Sequence, residues 1–194
     1  MNLAEFREAV SRRITGPIVK VFSKTGLSPN AVTLLGLLVN VAAACVIATG
    51  HLFAGGVLVL FSGLFDLIDG ALARFSGQTS RFGAFLDSTV DRLSEAVLFL
   101  GLLILYVMEG STLEVLLVFV ILVGCFLVSY IRARAEGLGI SCRVGLFTRP
   151  ERVIVLALGL LLNQVFIILW VLLAFTYVTV AQRLFYVWQR TKVD

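Results

Sequence analysis

The sequence predicts an all-α integral membrane protein of six transmembrane helices preceded by an amphipathic interfacial helix, with both termini cytoplasmic. Three observations carry that expectation. The 194 residues are 59% hydrophobic with a mean hydropathy of +1.02, whereas soluble domains sit nearer roughly 45–50% apolar. The apolar residues gather into long runs, several of them close to the ~20 residues a helix needs to cross a bilayer. All 16 Lys and Arg residues fall near alternate ends of those runs, the pattern that sets orientation in a membrane.

Residues 1–25 form the first unit. Leu3, Phe6, Val10, Ile14, Ile18 and Phe22 recur at steps of three and four, with Arg7, Glu8, Arg12 and Arg13 largely on the other side. Such a segment lies in the membrane interface, with Gly16-Pro17 as a break or restart. It is too charged for a removable signal sequence and has no apolar core ahead of a small-residue cleavage site. Residues 26–194 form the second unit, a single membrane domain. Leu27-Ser28-Pro29-Asn30 is a turn and helix start, and Asn30 to Gly50 is the first span. His51 to Gly77 and Arg81 to Met108 follow. Both exceed what a bilayer requires, so their polar ends project into the cytoplasm. Ser111 to Glu136 is the fourth span. After the basic, glycine-bearing loop GLGISCRVGLFTRPER, a fifth span begins near Arg149 and runs through Val153 to Leu162. Gln164 to Arg183 is the sixth, ending in a short basic tail.

Charge decides the topology. Every Lys and Arg lies in the amino-terminal segment, at or near the 74–81 turn, in the 132–152 region, or in the tail. The opposite turns, around Gly50-His51, Met108 to Thr112 and Asn163, carry none. Six spans alternate these sets without exception, which makes the chain a multi-pass protein of the cell membrane with its basic turns cytoplasmic. The net charge of +4 is then explained by orientation and by the anionic leaflet, with no nucleic-acid partner. Cys45, Cys125 and Cys142 have no C-x-x-C spacing and His51 is the only histidine. Zinc and a disulfide framework are thereby excluded, and the cysteines read as packing residues.

The chemistry concentrates between Asp66 and Asp91, DLIDGALARFSGQTSRFGAFLDSTVD. Asp66 and Asp69, three apart, share one helix face, as do Asp87 and Asp91, four apart. A charge at mid-span costs roughly 2.5–3.5 kcal/mol on an insertion scale, so four cost on the order of 10 kcal/mol before any relief near the interface. Arg74, Arg81 and Arg92 are too few to neutralise them all. A divalent cation is the simplest counter-charge, and an oxygen-only set without His or Cys selects magnesium, manganese or calcium. Four acids from two helices can hold two ions, which suits displacement at a phosphate. Gly70 and Gly83 allow close approach to the backbone, and Arg74 suits phosphate contact. Arg132, Arg134, Arg143, Arg149 and Arg152 form a second anion site on the same side. Two competing readings stand beside these: an ion relay in a transporter for the acids, and a lipid-headgroup surface for the arginines. Arg92 and Glu95 read as a structural pair on the third helix.

The pattern Asp66-x-x-Asp69-Gly70-x-x-Ala73-Arg74, eight residues, then Gly83-x-x-x-Asp87-x-x-x-Asp91 resembles the signature of the CDP-alcohol phosphatidyltransferases at every position. Ser129-Tyr130-x-Arg132-Ala133-Arg134 and Arg149-Pro150-Glu151-Arg152 are most like the branch of that family that forms phosphatidylinositol phosphate. The resemblance implies transfer of a phosphatidyl group from CDP-diacylglycerol to an alcohol, with CMP released. Magnesium, as two ions or with manganese in its place, would sit on Asp66, Asp69, Asp87 and Asp91, and Asp91 would also be the general base. Pro29, Asn30, Ala31, Val32, Gly70, Arg74, Ser80 and Gly83 would hold the donor. Ser129, Arg132, Arg149, Arg152 and Arg183 would grip the phosphate of the acceptor. Inositol 1-phosphate is the favoured acceptor and glycerol 3-phosphate the alternative. A homodimer in the lipid bilayer is also implied.

Overall fold

A computed structural model describes residues 28–75 and 80–192, giving the backbone alone at residues 70 and 73–75. The interfacial helix expected over 1–25 lies outside the described residues. Within them the chain is helical without a strand: α1 Pro29–Ala48, α2 Leu52–Phe75, α3 Arg81–Met108, α4 Thr112–Glu136, α5 Arg149–Leu161 and α6 Val165–Thr191.

The helix starts follow their capping chemistry. Ser28 accepts from the Ala31 amide at 3.3 Å, with Pro29 in the first turn where no amide is needed. Ser80 accepts from the Gly83 amide at 2.9 Å. At the head of α5, the Glu151 carboxylate accepts from the Thr148 amide at 2.9 Å and from its hydroxyl. At the opposite end of the bundle the connections are only three residues long, and each turns on a left-handed residue: Gly50 (φ 83°), Gly110 (φ 72°) and Asn163 (φ 53°). In all three, the next amide reaches back five residues to an orphan carbonyl. These bonds are His51 to Val46 at 3.2 Å, Ser111 to Tyr106 at 2.9 Å and Gln164 to Gly159 at 2.9 Å.

Four stretches are long and apolar enough to cross a membrane: Pro29–Ala48, Leu52–Asp69, Thr112–Glu136 and Val165–Thr191, with mean hydropathies of 2.4, 1.8, 2.6 and 2.2. The other two of the six expected spans fall short of that standard for different reasons. α3 carries Asp91, Arg92 and Glu95 at the edge of its apolar run, and α5 has 13 residues, about 20 Å at 1.5 Å per residue. α6 runs on to Thr191 instead of stopping near Arg183, since residues 184–191 contain neither Gly nor Pro. Its last turns carry Arg190 over Tyr186 and Lys192 over Trp188, the aromatic–basic ending typical of an interface.

α1 packs on both α2 and α3, α4 on α3 and α6, and α5 between α2 and α6. Lipid offers apolar side chains as good an environment as a neighbouring helix, so close contact relies on small residues and polar ties. A Cβ on Gly101 of α3 would come within 2.6 Å of the Ala44 carbonyl of α1, and one on Gly124 of α4 within 2.9 Å of Thr176 of α6. Leu98, Phe99, Leu102, Ile121, Leu160, Leu169 and Leu172 fill the core between them. α1 and α2 are also tied by two polar rungs. The Thr33 hydroxyl donates to Asp69 at 2.7 Å, and the Ser62 hydroxyl donates to Asn40 Oδ1 at 2.8 Å.

Candidate functional site

The starts of α1, α3 and α5 and the ends of α2, α4 and α6 lie at one end of the bundle, away from the three-residue turns. A cavity of about 900 Å³ opens there, walled by Asp87, Asp91, Arg92, Ser129, Arg149, Arg152 and Arg183 among others. Two of the four acids expected to bind metal, Asp87 and Asp91, thus face a common space with the arginines expected to bind phosphate.

On the acid side, α2 supplies Asp66 and Asp69, and α3 supplies Asp87 and Asp91. Asp69 is buried and takes the Thr33 hydroxyl. Asp66 and Asp91 are joined through one cation from α5. Arg149 Nη1 donates to Asp66 Oδ2 at 2.7 Å and is bonded to Asp91 Oδ1 as well. Asp87 is exposed on the cavity wall and lies within electrostatic reach of both. Among the described residues no three His, Cys, Asp or Glu side chains are gathered as an ion's ligands, and the Arg149 guanidinium lies between Asp66 and Asp91. Two facing carboxylates sharing one cation, with a third beside them and oxygen donors throughout, fit a hard divalent ion in the place of that guanidinium.

On the donor side, the first turns of α1 and α3 meet at Gly83. A Cβ on Gly83 would stand 3.0 Å from Ser80 Oγ and 3.3 Å from Asn30 Oδ1, so a larger residue would displace these two polar side chains. Helix starts present free amides and a positive dipole end to an anion. Pro29, Asn30, Ala31 and Val32 form the first turn of α1, and Ser80 caps α3. Gly70 and Arg74 lie on the last turns of α2, with their side chains outside what the structure describes.

The five residues expected to hold the acceptor all line the cavity, in unequal settings. Arg132 is exposed and pairs with Glu136 of its own helix at 2.9 Å. Ser129 accepts from Arg92 Nη1 at 2.6 Å. Arg152 is only 2% exposed: Nε and Nη2 donate to the two Glu95 oxygens at 2.6 and 2.8 Å, and Nη1 to the Phe147 carbonyl at 3.2 Å. Arg183 is buried too, donating to the carbonyls of Val144, at 2.9 Å, and Val128. The 137–148 loop is held on α6 by bonds from the Leu146 and Phe147 amides to Gln182 and Thr179 at 3.2 and 3.1 Å. At Gly145 (φ 135°) a Cβ would sit 2.8 Å from Thr179.

One sequence expectation changes here. Arg92 and Glu95 do not pair with each other: Arg92 goes to Ser129 and to Asp91 at 3.4 Å, and Glu95 to Arg152. A signal for this was present in the chain. Asp91 and Glu95 are four apart on α3, Arg149 and Arg152 three apart on α5, so an acidic face confronts a basic one.

Residues 26–182 match the CDP-alcohol phosphatidyltransferase family. The chain is 40% identical to the archaetidylinositol phosphate synthase of Methanothermobacter thermautotrophicus, over 98% of its own length and 96% of that protein's. It is 38% identical to the phosphatidylinositol phosphate synthase of Mycobacteroides abscessus, over 89% and 82%. The crystal structure of Mycobacterium tuberculosis phosphatidylinositol phosphate synthase with CDP-DAG bound superposes with a TM-score of 0.83 at 38% identity, covering 91% of this chain and 94% of that one. The same enzyme in complex with manganese and citrate gives 0.84 at 37%, covering 90% and 88%.

Proposed function

This chain belongs to the CDP-alcohol phosphatidyltransferase family, and from that premise we propose that it moves a phosphatidyl group from CDP-diacylglycerol to a hydroxyl of inositol 1-phosphate, releasing CMP. The observation that carries the reading is the single cavity with an acid wall and an arginine wall, Asp91 and Arg149 in contact between them. A phosphorylated acceptor suits the basic wall better than an uncharged alcohol.

Asp66, Asp69, Asp87 and Asp91 would hold magnesium, as two ions or with manganese in its place, and the chemistry such a metal would supply is positive charge opposite the pyrophosphate and the departing CMP. The chain's own residues do the rest. The starts of α1 and α3, through Pro29 to Val32, Ser80 and Gly83, with Gly70 and Arg74 from α2, take the cytidine and its phosphates. Ser129, Arg132, Arg149, Arg152 and Arg183 hold the acceptor by its phosphate and turn its hydroxyl toward the donor. That oxygen forms the new bond to the phosphatidyl phosphorus while the bond to the CMP oxygen breaks. Asp91 accepts the hydroxyl proton.

Residues 26–194 form one six-span membrane domain with both termini cytoplasmic, the segment 1–25 lying in the interface, and the chain works as a homodimer in the cell membrane. The acyl tails stay in the bilayer while the head group reacts at its cytoplasmic edge. The near-complete alignment with the archaeal relative favours a second reading of the donor alone, an archaetidyl group in place of the phosphatidyl.

An acceptor panel tests the proposal. Purified protein with magnesium and CDP-diacylglycerol is expected to release CMP on addition of inositol 1-phosphate. Release with glycerol 3-phosphate instead would reassign the acceptor, and release with neither would sink the enzyme reading. Replacing the donor by its archaetidyl counterpart decides the lipid half.

A further inference from the structure

At the arginine wall of the cavity lies an ion pair of which the mechanism above uses only one half, Arg152. Glu95 and the side chain of Arg152 are nearly sealed from solvent, at 4% and 2% exposure, and both carboxylate oxygens accept from the same guanidinium. Glu95 stands one turn after Asp91 on α3, and Arg152 one turn after Arg149 on α5. The pair therefore lies directly behind the Asp91–Arg149 contact. Stability alone is a poor reason to keep it. Taking two charges out of water is expensive, and well-packed apolar residues of similar size serve as well or better in such places. What a bidentate pair supplies is direction. It fixes the plane and rotation of a guanidinium whose donors have a rigid fork geometry. With Nε and Nη2 engaged by Glu95, Nη1 is left to the Phe147 carbonyl, and the residue as a whole is held in the cavity lining. Phe147 ends the loop whose Val144 carbonyl receives Arg183. One carboxylate on α3 thus orients Arg152 and, through it, the loop whose Val144 carbonyl receives Arg183, a second basic residue of the site.

We infer that Glu95 is a positioning residue for the acceptor, acting through Arg152 to set the basic wall of the cavity. The inference rests on the proposed use of that wall for a phosphorylated alcohol.

Glu95→Gln tests it, since the amide keeps the shape and one acceptor oxygen but aims a donor at the guanidinium. Its KM for the acceptor is expected to rise roughly tenfold or more, the scale of one lost charged hydrogen bond, with the donor KM within twofold. Placed on Arg152→Met, the same change should add nothing to the acceptor KM. Equal rises in both KM values, an unchanged acceptor KM in a folded variant, or full additivity would overturn it. If Glu95→Gln does not fold, the apolar pair Glu95→Met with Arg152→Met replaces it: a raised acceptor KM alone sustains the idea, and wild-type kinetics refute it. The acceptor panel on the unaltered protein judges the functional reading separately. Should glycerol 3-phosphate be the acceptor, its KM serves in place of that for inositol 1-phosphate. Calorimetric binding of inorganic phosphate to wild type and Glu95→Gln reads the pocket without turnover, and equal affinities would count against the inference.

Discussion

The two walls of the cavity handle charge in opposite ways. On the donor wall, Asp66, Asp87 and Asp91 are half-buried or exposed, and two of them depend on a single shared guanidinium. On the acceptor wall, Arg152 and Arg183 are buried, each already bonded to partners within the chain. The first wall leans on one arginine for its charge balance, and it is here that the proposed cation would bind. The second is finished in advance and holds its shape before any ligand arrives. Preorganised polar groups need no rearrangement at the moment of reaction, whereas an ion site must stay open to fill.

The largest expected effect lies on the open wall. Removal of divalent ions by a chelator should abolish CMP release, and added magnesium or manganese should restore it. Phosphate binding at the acceptor wall, followed by calorimetry, should largely survive the same treatment; its loss would break the division between the walls. Next comes Asp91→Asn, expected to lower kcat by about a thousandfold, within the range for a lost general base, while the protein keeps its thermal midpoint. Retained turnover would remove Asp91 from that role. Stability should then separate the two arginines. Arg152→Ala leaves Glu95 buried and unpaired, expected to destabilise by about 3–5 kcal/mol. Arg149→Ala touches partly exposed carboxylates and should shift stability by about 1 kcal/mol or less. Thermal unfolding in detergent measures both, and equal losses would show that the walls do not differ in this respect. Gly83→Ala brings a methyl against Ser80 and Asn30 and should raise the donor KM several-fold with the acceptor KM unaltered. Ser80→Ala, which removes only the cap of α3, should cost about 1 kcal/mol and change kinetics least.

The same contrast governs how much the sequence discloses. The donor wall is nearly contiguous: Asp66 to Asp91 lie within one helix end, one turn and one helix start, so spacing alone assembles them. Helix starts at Pro29, Arg81 and Arg149 are likewise local, fixed by Ser28, Ser80 and Thr148. Four membrane-crossing stretches announce themselves by hydropathy, while α5 is too short and α3 too charged at one end to do so. The acceptor wall comes from α3, α4, α5, α6 and a loop, and its central bond joins Glu95 to a residue 57 positions away. Read locally, Glu95 belongs with Arg92, three positions before it on the same helix. In the fold Ser129 offers Arg92 a different partner, and Arg152 reaches Glu95 with two donors. Spacing along α3 alone does not show such competition; it emerges only when the acidic face of α3 is set against the basic face of α5.

The two rungs between α1 and α2 carry a consequence of their own. Thr33 and Asn40 are seven residues apart on one helix, and Ser62 and Asp69 seven apart on the other, so the rungs stand about 10 Å apart along the pair. Sliding either helix by a turn would unfasten both at once. One rung ends on Asp69, a proposed metal ligand, and the other is buried between the helices. Together they work as a plumb line, fixing the height of Asp69 on α2 against α1 and so the level of the acid wall within the bundle.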